Sequence, residues 1–91
     1  MLKEYTRDVQ KLFLEMMLED AQSFVRVQNI FNPDNFDPSL KETAEFISAY
    51  SDKYNTMPEL EQINASLGTN LLAVELTAEH QDWFLEEFEA F

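Results

Sequence analysis

The chain has no cysteine, one glycine, three prolines, one histidine and only six basic residues among its 91. Each shortage removes something. Without cysteine there is no disulfide, no thiolate nucleophile and no cysteine-ligated zinc. With so few glycines and prolines, and no long alternating apolar run, the signals of strands and hairpins are missing. No apolar stretch approaches the roughly 18 residues of a membrane span, and Met1–Asp8 lacks a signal-peptide core, so no membrane association and a cytoplasmic location are expected.

The shortage of basic residues matters most for partners. Six Lys and Arg against eighteen Asp and Glu give a net charge of −12, and from Tyr54 to Phe91 eight acids meet no Lys or Arg. Such a surface repels phosphate backbones, so direct nucleic-acid binding is not expected, and a basic protein partner is the natural electrostatic complement.

What is present is apolar and aromatic: 45% of residues are hydrophobic, including eight Phe, three Tyr and one Trp. That is enough for one core and too short a chain for two, so a single domain over 1–91 is expected. Apolar spacing of three and four predicts an all-α fold, a compact orthogonal bundle of about five short helices. Leu2, Tyr5, Val9, Leu12, Phe13, Met16 and Met17 mark a first helix from about Lys3 to Leu18. The stripe loses phase near Glu19, and Asp20 then caps a shorter helix with Ala21, Phe24, Val25 and Gln28 facing inward.

Two prolines within Ile30–Pro38 rule out continuous helix there. Phe31 and Phe36 are expected to fold onto the core, because leaving each in water costs about 1.5–3 kcal/mol. Asp37-Pro38 is a strong helix start. Leu40, Ala44, Ile47, Tyr50 and Tyr54 define the inward face of that helix, with Phe46 and Tyr54 expected in the core at about 3–5 kcal/mol each on truncation to Ala. Asn55 suits a left-handed C-cap, and Pro58 is expected in the first turn of the next helix, where Glu59 and Glu61 complement its dipole.

That helix carries Leu60, Ile63 and Leu67 and ends at Gly68. Asn70–Leu76 is either a short helix or an extended crossing, and periodicity leaves both open. Thr77 caps a last helix with Trp83, Phe84, Phe88 and Phe91 along one side. Its end is acidic and lacks a glycine, asparagine or basic cap, which is what cutting through a longer helix leaves. The chain is accordingly expected to be an amino-terminal piece of a longer protein.

Reactive chemistry is hard to find. His80 lies between Glu79 and Asp82 in a helix with no partner arrangement for nucleophilic or metal chemistry. Glu15, Glu19 and Asp20 suit a cation or, equally, a solvated acidic face. A lone Gly68 makes no phosphate loop, and Asn64-Ala-Ser66 matches a glycosylation acceptor by chance inside a helix. No catalytic, cofactor or metal residue is assigned. Trp83, Phe88 and Phe91 are the candidate partner-binding residues, the two phenylalanines on condition that they find no core to enter.

Val27-Gln-Asn-Ile-Phe-Asn-Pro-Asp-Asn-Phe36, a helix closing in Tyr50-Ser-Asp-Lys-Tyr-Asn-Thr-Met-Pro58, and Leu60-Glu-Gln-Ile63 follow one another at fixed spacing. This combination resembles the amino-terminal domain of DnaB-family replicative helicases, in the version found in T-even-type phages. The likeness runs from about Asp20 to Leu67, with Trp83-Phe-Leu-Glu-Glu-Phe88 adding weaker support. It implies a non-catalytic helical head whose last helix, 77–91, continues into a hairpin through which subunits associate. A RecA-like motor using ATP and magnesium is implied beyond it. It also implies the other helicase subunits and primase or a helicase loader as partners, in the host cytoplasm. None of the motor's motifs lies in this chain. The alternative expectation is a free-standing acidic phage protein that binds and modulates a basic replication or host protein.

Overall fold

The first helix, α1 (Arg7–Glu19), is the one the others are laid around. In the computed structural model, which describes residues 6–74 and 77–91, it is followed by α2 (Ala21–Val27) and a 3-10 turn at Pro33–Asn35. Next come α3 (Pro38–Tyr54), α4 (Leu60–Leu67) and α5 (Ala78–Ala90). The fold is an all-α bundle, with no strand among the described residues. Its radius of gyration, 12.3 Å, is what a packed chain of this length gives. The part of the first helix expected before Thr6 lies outside the described residues.

Phe13, Leu14, Glu15, Met16 and Met17 are all buried in succession, so the middle of α1 is covered on every side. A helix buried all round is a central element rather than a surface one. The sequence pattern shows only a stripe because Glu15 interrupts it. That glutamate is 6% exposed, and its carboxylate accepts from the Leu72 N–H at 2.6 Å and pairs with Lys11 at 3.2 Å. A buried carboxylate is tolerated because it is bonded on both counts. Glu15 therefore pins the 69–74 segment to α1. Gln10 does the equivalent job toward α3, its side-chain oxygen accepting from the Asp37 N–H at 2.6 Å.

The helix ends follow local chemistry. Thr6 accepts from the Val9 N–H, Asp20 from Gln22, Asp37 from Ser39 and Thr77 from His80, each satisfying an orphan donor in a first turn. Asn55 closes α3 at φ 57°, and Gly68 closes α4 at φ 68°, both left-handed. Pro58 departs from expectation. It is buried ahead of α4, whose N-cap is Glu59, and Gln62 reaches back to accept from the Glu59 N–H at 3.3 Å. That bond starts the helix one residue after the cap, so the proline precedes the helix instead of opening it.

Asp37 supplies a pH-dependent prediction. Its carboxyl is held below the usual carboxylate value first by the Ser39 backbone N–H, then by the Ser39 hydroxyl, with the Arg7 charge adding a smaller push. A group depressed in the folded state stabilises above its unfolded pKa, and that contribution is lost as pH falls through the folded value. Asp37→Asn keeps a capping oxygen but cannot ionise. Thermal midpoints taken from about pH 6 to about pH 2 should converge for parent and variant as pH falls. A constant gap across that range means the ionisation contributes nothing.

Two faces are placed differently from the expected pattern. On α2, Ser23, Phe24 and Val27 face inward, whereas Val25 is 59% exposed and Gln28 is exposed too. Asp20 accounts for this phase, because its second oxygen accepts from the Ser23 hydroxyl at 3.2 Å and turns that side of the helix inward. The Ala21 side chain lies outside the described part of the structure. On α3 the buried residues are Leu40, Thr43, Ala44 and Ile47, and none lies beyond Ile47. Tyr54 is 54% exposed and Phe46 half-buried, so neither is the fully buried core residue the spacing predicts. The last turns of α3 project past the core, and Tyr54 covers Tyr50 instead, with ring centroids 4.6 Å apart.

Candidate interaction surface

The aromatic residues of α5 meet those of α1 and of the connector in one cluster. Phe13 is its hub, with ring centroids of Trp83, Phe84, Phe88 and Phe91 at 5.7, 5.8, 5.5 and 5.6 Å. Phe31 and Phe36 fold back as expected. Phe31 packs on Phe24 at 5.3 Å, and Phe36 meets Phe91 edge-on at 5.0 Å. Tilted and edge-to-face pairs at these separations add to what area burial alone supplies.

This cluster decides where the three candidate partner-binding residues stand. Phe88 is 3% exposed and lies in the core. Phe91 is half-buried against Phe13 and Phe36, and its N–H donates to the Glu87 and Phe88 carbonyls. The condition attached to both phenylalanines, that no core receives them, is not met. Trp83 is different. One face touches Phe13, yet it keeps 38% of its surface exposed.

Beside Trp83 runs an apolar groove of about 550 Å³ between α1 and α5. Leu12 and Met16 form one wall, Trp83 and His80 the other, with Val74 and Glu79 at its edges. Met16 is nearly covered from outside, so the groove floor is continuous with the core. Sequence reasoning singled out Trp83 but missed Leu12, Met16 and Val74 as its companions. Leu12 and Met16 read as core from their spacing, and Val74 lies in the segment that periodicity left open.

That segment has no helix or strand over residues 69–74 and is held by side chains. Asn64 on α4 clamps it: Nδ2 donates to the Leu71 carbonyl at 3.0 Å, while Oδ1 accepts from the Leu71 N–H at 2.9 Å and the Thr69 hydroxyl at 2.8 Å. The clamp seats Leu71, 3% exposed, in the core, and with the Glu15–Leu72 bond it sets Val74 at the groove edge. The apparent glycosylation acceptor is thus a structural asparagine whose amide is already engaged.

Of the acids considered for a cation, Glu15 is inward and committed to Leu72 and Lys11, Glu19 is exposed, and Asp20 caps α2 and accepts from Gln81 Nε2 at 3.1 Å. Among the described residues no group of three or more His, Cys, Asp or Glu converges on one point. No helix among them is long and apolar enough to cross a membrane.

A second, shallower depression of about 310 Å³ lies on α3 along Phe46, Tyr50 and Tyr54. Its rings form a ladder, Phe46 to Tyr50 at 6.2 Å and Tyr50 to Tyr54 at 4.6 Å, and the Lys53 ammonium sits 5.1 Å from the Tyr54 ring. The cation and the rings satisfy one another there. The chain matches no family model, no curated protein and no solved structure.

Proposed function

We propose that this chain is a non-catalytic protein-interaction and assembly domain. The observation that carries this reading is the half-exposed Trp83 beside an apolar groove whose floor is continuous with the core. Amphipathic aromatics at the edge of a preformed apolar cleft are the usual anchors of protein contacts. In its finer form the reading takes the chain as the head of a hexameric replicative DNA helicase, contacting neighbouring subunits and primase or a loader. That form rests on the residues of the Val27–Phe36 connector and the Tyr50–Pro58 turn. ATP and magnesium then belong to a motor elsewhere in the parent protein, and this chain alone hydrolyses no ATP.

The acidity of the carboxyl-terminal half favours a second reading, a free-standing acidic phage protein that modulates a basic replication or host protein. The coding region beyond Phe91 separates the two. An in-frame continuation into a phosphate-binding loop is the result expected of a helicase head, and a stop codon removes that form. ATP turnover by the purified chain would overturn both.

A further inference from the structure

Groove, tryptophan and charge come together on α5. Glu79, Asp82, Glu86 and Glu89 are all exposed, and their spacing of three, four and three residues puts them on one face of the helix, over about 15 Å of its length. Trp83 lies immediately beside that face, between the acids and the groove. The opposite wall continues the theme: exposed Asp8 lies one turn before Leu12 on α1, and exposed Glu19 nearly one turn after Met16. From Tyr54 onward no Lys or Arg offsets these charges, and Lys11 on α1 is paired with Glu15.

Four like charges on one helix face repel one another, and a cationic ligand along that face removes the repulsion.

We propose that the α1/α5 groove docks a basic amphipathic helix of about three turns from a partner protein. Its apolar side chains enter between Leu12, Met16 and Trp83, and its Lys or Arg side chains meet Glu79, Asp82 and Glu86. This inference rests on reading the chain as an interaction domain and adds the chemistry of what it holds.

Trp83 is the chain's one tryptophan, so its emission reports on the groove directly. The probes are two synthetic helices of about 18 residues with the same leucine face, one flanked by lysines and the other by glutamates. The lysine helix should shift Trp83 emission to the blue and bind at least about tenfold more tightly than the glutamate helix at low salt. Its affinity should fall steeply as salt rises. The triple variant Glu79→Gln, Asp82→Asn, Glu86→Gln should weaken it by about tenfold or more. The control Glu42→Gln, Glu45→Gln, Glu61→Gln, with the same charge change on α3 and α4, should cost less than about threefold. All these positions are exposed, and circular dichroism checks that both variants fold.

Equal binding of the two helices, equal losses in the two triple variants, or lysine-helix binding without a Trp83 response each overturn the proposal. So does the absence of binding. None of these outcomes alters the coding-region or ATP-turnover result, so failure here is distinguishable from failure of the interaction-domain reading.

Discussion

Phe13→Ala is expected to cost about 3–5 kcal/mol, the scale of removing a fully buried aromatic ring. Domains of this size are stable by only about 5–15 kcal/mol in total. The melting midpoint should drop by on the order of 15–30 °C, or the chain should fail to fold at all. The reason is position as much as size. Phe13 is fully buried and touches three rings of α5 and that of its C-cap residue Phe91, so its loss opens a cavity at the contact that fixes α5 against the central helix. Tyr54→Ala is the matched control: it removes an equally large side chain that is 54% exposed and packs on Tyr50 and Lys53. It should cost no more than about 1 kcal/mol. Urea titration followed by circular dichroism measures both. Similar losses for the two variants would mean that the core is not centred on α1.

The second large effect is expected at Asn64. Asn64→Ala removes three hydrogen bonds and leaves the Leu71 N–H and carbonyl without the partner that now satisfies them. Each partly buried backbone group stranded in this way costs about 1–3 kcal/mol, so a total of roughly 2–6 kcal/mol is expected for the two. Asn64→Asp is the sharper probe. A carboxylate still accepts from the Leu71 N–H and the Thr69 hydroxyl, but it has no donor for the Leu71 carbonyl. It should fall between parent and alanine variant near neutral pH. Amide hydrogen exchange locates the effect: protection at Leu71 and Leu72 should drop before that of α1. Loss of protection spread evenly over the chain would show that Asn64 supports the whole bundle and not this segment.

Much of the fold was legible because its signals are local. Asp20, Asp37, Thr77, Asn55 and Gly68 each start or stop a helix by bonding or dihedral preference within a few residues of themselves, and all five do so in the structure. Phe31 and Phe36 were readable as anchors because two aromatics in a proline-broken connector have only the core to enter. Pro58 was misplaced, lying two residues before the first residue of α4: the Glu59–Gln62 cap that displaces it is just as local, but it competes with the proline's own preference.

The candidate surface was legible only at Trp83. Phe88 and Phe91 look as apolar in the sequence as Trp83 does. What separates them is how much of each ring Phe13 and Phe36 cover, and those residues lie more than fifty positions away. The groove needed Leu12, Met16 and Val74 as well, and Val74 reaches it through bonds made by Glu15 and Asn64.

By itself, the sequence determined that this protein is helical, where three of the five described helices begin, that its carboxyl-terminal half is acidic, and that no thiol chemistry exists in it. These depend on composition and on neighbours along the chain. Tertiary structure alone decided that α1 is enclosed on all sides, that Val25 and Tyr54 face solvent, and that a glutamate and an asparagine hold the 69–74 segment. Helical periodicity names a face but not how many neighbours cover it, and a polar residue such as Glu15 or Asn64 reads as solvent-facing until the distant backbone it bonds is in place.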